Sequence, residues 1–94
     1  MYYECHISIG LHPTSAKELI ECLNGWSFSC IQGDPVLGKG VYEYATRHAP
    51  GSTDLGKVIQ HMNDTAHILK GQGFPVIRQK VEIVVYDTVK ESHT

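Results

Sequence analysis

A histidine and a hydroxyl stand two residues apart at His6 and Ser8, inside the segment Tyr2-Tyr3-Glu4-Cys5-His6-Ile7-Ser8-Ile9. That segment alternates strictly, and successive side chains of a strand point to opposite sides of a sheet. Tyr3, Cys5, Ile7 and Ile9 then form an apolar row for a core. Tyr2, Glu4, His6 and Ser8 form a polar row on the other face. An imidazole and a hydroxyl on one face can address the same phosphate. Neutral His6 can take a proton from a hydroxyl or water. A second histidine, His48 or a second copy of His6, can give one to a leaving oxygen. Ser8 or Thr46 can hold a non-bridging phosphate oxygen. Near the C-terminus Arg78, Lys80 and Glu82 alternate with apolar residues. An arginine binds phosphate with a planar fork and a lysine as a point charge. This chemistry needs no metal and no cofactor.

The elements that must position these residues follow from periodicity and punctuation. Residues 2–9 read as the first strand, and Gly10 to Pro13 as a turn. Ser15 and Glu18 have capping-box spacing before a short helix, about 15–24, with Ala16, Leu19, Ile20 and Leu23 as its stripe and Gly25 as its stop. Residues 26–31 read as a second strand, 32–39 as a loop and 40–48 as a third strand, broken by Ala49-Pro50-Gly51-Ser52. Leu55, Val58, Ile59, Met62, Ala66 and Leu69 fall on one face of a second helix, about 53–70. Gly71 and Gly73 end it, and a long strand, 74–88, closes the chain.

Strand, helix, strand, strand, helix, strand is the ferredoxin-like split arrangement, an α+β fold. Right-handed crossovers place both helices on one face of a four-stranded antiparallel sheet. Strands one and three are then central, with four beside one and two beside three. The other face is left open. In the last strand Ile77, Val81, Ile83 and Val85 should meet the helices, with Gln79 as the exception. Arg78, Lys80 and Glu82 should share the open face with Glu4, His6 and Ser8. The third strand reads two ways. If its tyrosines are buried, Glu43 and Arg47 join the open face; if Val41 and Ala45 are buried, Thr46 and His48 do.

The totals exclude several classes. Ninety-four residues make a single domain, 1–94, with the last few residues frayed. At 41% hydrophobic and 19% charged the chain is not a disordered one. A net charge of −2 disfavours a general double-stranded DNA binder. No apolar run approaches the ~20 residues of a membrane span. Three cysteines, Cys5, Cys22 and Cys30, cannot all pair internally. With a start that runs straight into a strand, they point to a cytoplasmic protein. Cys5 and Cys22 read as free thiols on apolar faces, and Trp26 and Phe28 as core.

Two other patterns are set aside. Gly33 to Gly40 follows most of a phosphate-binding loop, G-x-x-x-x-G-K, but Gly40 stands where Ser or Thr should ligate magnesium, and a strand follows instead of a helix. Six histidines invite a zinc reading. His61 and His67 do not share a helix face, however, so they and His93 read as solvent residues.

His6-Ile7-Ser8-Ile9 resembles half of the motif of the LigT-like two-histidine phosphoesterases. Those proteins carry two H-x-[ST]-hydrophobic strands and process cyclic phosphates and RNA ends. The match covers His6 and Ser8; Thr46-Arg47-His48 runs in the reverse order, and a homodimer could bring two copies of His6 together. The opening YYECHISI, the segment YATRH and the ending FPVIRQKVEIVVYDT are similar to small uncharacterised bacterial and phage proteins that open YYExHxTI. That similarity points to His6, Ser8, Thr46, His48, Arg78, Lys80 and Glu82. The functional expectation is recognition of a small phosphorylated ligand, such as a nucleotide, cyclic nucleotide or RNA terminus. Metal-independent phosphoester chemistry through His6 and His48 would be the enzymatic form of that reading. The alternative is an interaction or self-assembly domain whose open face is buried by a partner.

Overall fold

The computed structural model describes residues 1–32 and 41–85. The P-loop-like segment, Tyr86 and His93 lie outside them. The element order is β1 (Tyr2–Ile9), α1 (Lys17–Cys22), β2 (Ser27–Gln32), β3 (Val41–Pro50), α2 (Leu55–Gly71) and β4 (Val76–Val84). The four strands form one sheet in the order β2-β3-β1-β4, all neighbours antiparallel. This is the α+β ferredoxin-like arrangement expected from the order of elements.

The alternation of β1 is realised in full. Tyr3, Cys5, Ile7 and Ile9 are buried among Ala16, Ile20, Val58, Met62, Ala66 and Leu69 from the helices. Trp26 belongs to this core and Phe28 packs against it. In β3 the second of the two face assignments holds. Ala45 and Ala49 are buried on the helix side, where their small size lets the helix layer approach the sheet. Tyr44, Thr46 and His48 lie opposite Ser8, His6 and Glu4 on the open face. Glu43, on the helix side, takes the α1 start as its partner. Its carboxylate accepts from the Ala16 N–H at 2.8 Å and from the Ser15 hydroxyl at 3.3 Å. The Ser15 half of the expected capping box is present, its hydroxyl accepting from the Lys17 N–H at 3.2 Å, while the Glu43 strand carboxylate rather than Glu18 meets the Ala16 donor and the partial positive charge of the helix start. β3 also continues through Ala49 and Pro50, which pair with Tyr3 and Tyr2, and the chain turns only afterwards.

The second helix starts on Asp54, whose side chain accepts from the Gly56 N–H at 2.8 Å. It ends in a Schellman motif: Phe74 N–H to Leu69 C=O at 3.1 Å and Gly73 N–H to Lys70 C=O at 2.9 Å. Gly73 has φ +90°, a conformation glycine adopts without cost. Within the expected stripe Val58, Met62, Ala66 and Leu69 are buried, but Leu55 and Ile59 are 40% and 39% exposed, on the flank of the buried face.

The apolar side of β4 is likewise only partly covered. Ile9 pairs with Val76 while Ser8 pairs with Arg78, so Ile77 is an extra, bulged residue and points outward. Ile83 lies opposite Tyr3 on the helix side, yet it and Val85 are exposed, whereas Val76 and Val81 pack against the core. Gln79, the polar exception, donates to Asn63 of α2 at 2.7 Å. Cys5 is buried as expected, and burial pushes its thiol up from its ordinary pKa, away from thiolate reactivity. Cys22 is exposed, at the end of a helix one turn shorter than its apolar stripe implied.

His61 is not simply a solvent residue. The Trp26 indole N–H donates to its Nε2 at 3.3 Å, and the two rings stack with centroids 6.1 Å apart. That bond requires a neutral imidazole. Burial, then the Arg47 charge, lowers the His61 pKa from 6.5, against a smaller opposing pull from Asp64. The unfolded chain therefore binds this proton first as pH falls, and stability falls with pH from about 6.5 down through the folded value. Wild-type protein should lose more denaturant resistance between about pH 7 and pH 5 than His61→Gln, which keeps an acceptor for Trp26 without a titration in this range. Parallel losses in the two proteins would show that the Trp26–His61 contact carries no proton linkage.

Candidate functional site

Because β1 is central, its polar row has neighbours on both sides. Glu4 faces His48 and Glu82, His6 faces Thr46 and Lys80, and Ser8 faces Tyr44 and Arg78. Strands lie about 4.8 Å apart, so the members of each triplet are nearest neighbours across the sheet. On the far side of β3, Ser29 is opposite Tyr44. His6, Ser8, Ser29, Tyr44, Thr46, Arg78, Lys80 and Glu82 line a pocket of about 300 Å³ in the open face.

Of the residues expected from sequence, His6, Ser8, Thr46, Arg78, Lys80 and Glu82 are all brought into this pocket. His48 is not among its lining residues. It stands half-exposed one pair further along, its Nε2 3.3 Å from Glu4 Oε2 and its ring edge-on to Tyr2 at 5.2 Å. The two histidines are thus joined through one carboxylate rather than through a shared cavity. Sequence reasoning did not select Ser29 or Tyr44. The signal for Tyr44 was the undecided face of β3. For Ser29 it was the Ser27-Phe28-Ser29 alternation, which puts both serines on the face opposite the core-packed Phe28.

His6 is held at both ring nitrogens. Its Nε2 lies 2.6 Å from Glu4 Oε1 and 3.4 Å from Glu82 Oε1, and its Nδ1 lies 3.2 Å from the Thr46 hydroxyl. Lys80 Nζ is 2.8 Å from Glu82 Oε1. The Lys80 hydrogen bond, with further help from the charges of Lys80, His6 and Arg78, lowers the Glu82 pKa despite some desolvation. Ligand atoms of Glu4, His6 and Glu82 lie within 4.8 Å of one another, close enough to converge on a cation. The Lys80 ammonium already supplies positive charge on Glu82, so the cluster reads as a charge network closed by side chains. Arg78 makes no ion pair with any described carboxylate. Its charge reaches Glu82 only at longer range, and it lies in register opposite Ser8, a residue only 4% exposed.

No known protein family matches the chain, and no curated protein or solved structure is significantly similar to it. The site therefore rests on its own geometry.

The charge network has a direct spectroscopic readout. In a carboxyl-detected NMR titration Glu82 should titrate below the ordinary glutamate range, and Lys80→Met should move it back up. An unchanged Glu82 midpoint in that variant would mean that Lys80 is not its partner in solution.

Proposed function

We propose that the open sheet face recognises a small phosphorylated ligand, of the class of a nucleotide, a cyclic nucleotide or an RNA terminus. The observation that carries this reading is the composition of the pocket. Two cations, Arg78 and Lys80, stand on one wall with the Glu82 carboxylate, and the hydroxyl-bearing Ser8, Ser29, Tyr44 and Thr46 line the pocket together with His6. Phosphate oxygens accept from guanidinium, ammonium and hydroxyl alike, and Arg78, which has no ion-pair partner among the described residues, can offer its whole fork. The Lys80–Glu82 pair is half-exposed, and such a pair is worth about 0–1 kcal/mol. Lys80 can therefore exchange Glu82 for a ligand oxygen at little cost. A volume of about 300 Å³ admits a phosphate with part of the group it esterifies, at the lower end of the range for ligand clefts.

Titration calorimetry against mono- and dinucleotides, cyclic nucleotides and short RNA ends tests the proposal. Arg78→Ala should weaken a ligand bound by wild type about 10- to 150-fold, corresponding to roughly 1.5–3 kcal/mol for a charge-assisted hydrogen bond. Ser8→Ala should weaken it less. Binding that is indifferent to Arg78, or no binding across the panel, would remove this reading.

One observation favours a second reading, self-assembly. β4 is an edge strand, Ile77 and Ile83 are 48% and 54% exposed along it, and Val85 just past its end is 78% exposed. Edges of this kind pair with other chains unless they are blocked. If the edge joins two copies, Ile83→Lys should convert a dimer to a monomer in sedimentation velocity while leaving nucleotide binding intact. A wild-type monomer at high concentration would dispose of it.

A further inference from the structure

We infer that His6 works through Nδ1 and that its immediate partner, the Thr46 hydroxyl, is a nucleophile toward phosphorus. The inference rests on the phosphate-binding reading and adds to it the reaction and the attacking atom.

The argument starts from the two ends of the imidazole. Glu4 Oε1 lies 2.6 Å from Nε2, within the range of a short charge-assisted hydrogen bond, and Glu82 Oε1 lies beyond it at 3.4 Å. A carboxylate only accepts, so Nε2 must carry the proton. In the neutral ring Nδ1 is then a bare lone pair, and the group facing it is the Thr46 hydroxyl at 3.2 Å. Thr46 donates and Nδ1 accepts. The same contacts remove the simpler role for His6: Nε2 is turned into two carboxylates and cannot serve as base toward a ligand. Whatever His6 does to a bound phosphate passes through Thr46. Carboxylate, imidazole and hydroxyl in series is the connectivity by which enzymes activate a hydroxyl nucleophile. Here it comes from β1 and β3, with Thr46 directly opposite His6 in register.

The cations complete the arrangement. Thr46 and His6 line the same pocket as Arg78 and Lys80, which would neutralise charge on the phosphoryl oxygens during attack. In the first step Thr46 Oγ1 forms a bond to phosphorus and its proton passes to Nδ1. The bond from phosphorus to the leaving oxygen breaks, its electron pair stays on that oxygen, and Nδ1–H returns the proton there. In the second step water attacks phosphorus and gives a proton to Nδ1. The Thr46 Oγ1–phosphorus bond breaks, and the threonine oxygen takes that proton back. Glu4 keeps its charge throughout and acts as a positioning residue. His48, on the other oxygen of Glu4, helps fix that carboxylate.

A fluorophosphonate probe tests this without knowledge of the natural ligand, because attack by an activated hydroxyl displaces fluoride and leaves a stable adduct. Intact mass and peptide mapping should find one adduct, on Thr46. Thr46→Val should abolish it, Thr46→Ser should restore it, and His6→Gln should slow it about 100-fold or more. Nitrogen-15 NMR of the histidine rings should show a protonated Nε2 and an unprotonated Nδ1 at His6, and Glu4→Ala should disturb that preference. The opposite tautomer, a ring protonated on both nitrogens at neutral pH, or labelling unaffected by His6→Gln would overturn the inference. Binding of p-nitrophenyl phosphate, followed by ligand-detected NMR, separates the two levels. Binding retained in wild type and Thr46→Val with no adduct in either would refute the nucleophile and leave the binding site standing. Neither binding nor adduct would refute both.

Discussion

The central position of β1 is the constraint on which the rest of the molecule depends. An eight-residue strand paired on both edges has no free backbone groups to accommodate a shift. Its side chains must divide strictly between two faces. A slip of one residue would carry Ile7 and Ile9, now fully buried, to the open face and bring His6 and Glu4 into the core. Burying an unpaired carboxylate and an imidazole costs several kcal/mol, as does exposing two isoleucines. Core and site therefore enforce each other: the residues that cannot be exposed fix the register that presents those that cannot be buried.

The same pairing explains why the site is a network and not a row of separate groups. Glu4 and Glu82 are directly opposite, an arrangement that like charges disfavour. The structure relieves it with hydrogen-bonding partners, His6 and His48 around Glu4 and the Lys80 ammonium against Glu82. One residue further along the face, the carboxylates stop, and Arg78 forms no ion pair among the described residues. The face thus has an acidic end that orients imidazoles and a cationic end that reaches Glu82 only at longer range. Under the proposed reading, such a gradient would suit a ligand with a phosphate at one end and a group under attack beside it.

What could be read from the sequence was what a single period decides. The β1 rows, the strand order and the polar row of β4 follow from alternation and from the few topologies that short connections allow. β3 was ambiguous because both of its rows mix sizes and charges. What settles it is tertiary: Ala45 and Ala49 leave room for the helix layer, and Glu43 is drawn to the helix side by the bare donors at the start of α1. No local rule links Glu43 to Ala16 across 27 residues. The exposure of Ile83 and Leu55 was hidden for a related reason, since a periodic pattern shows which face an apolar residue is on but not how completely that position is covered. In the site, the role of Glu4 was invisible although its row was evident, because hydrogen-bond partners depend on rotamers and not on register alone.

Charge sets the scale of any ligand. The chain carries a net −2, and the positive side chains lining the pocket are Arg78, without an ion pair among the described residues, and Lys80, shared with Glu82. Polyanion binding gains its strength from many phosphate contacts, each releasing counterions, and a protein of net negative charge with two local cations supplies too few. A single phosphoryl group is different. It is satisfied by one guanidinium, one ammonium freed from a weak surface pair and nearby hydroxyls, and the surrounding carboxylates exclude a second phosphate rather than the first. The acidic residues of the face are therefore compatible with the phosphate recognition proposed above, and under that proposal they would restrict it to a short anion placed with its charge toward Arg78 and its ester bond toward Thr46.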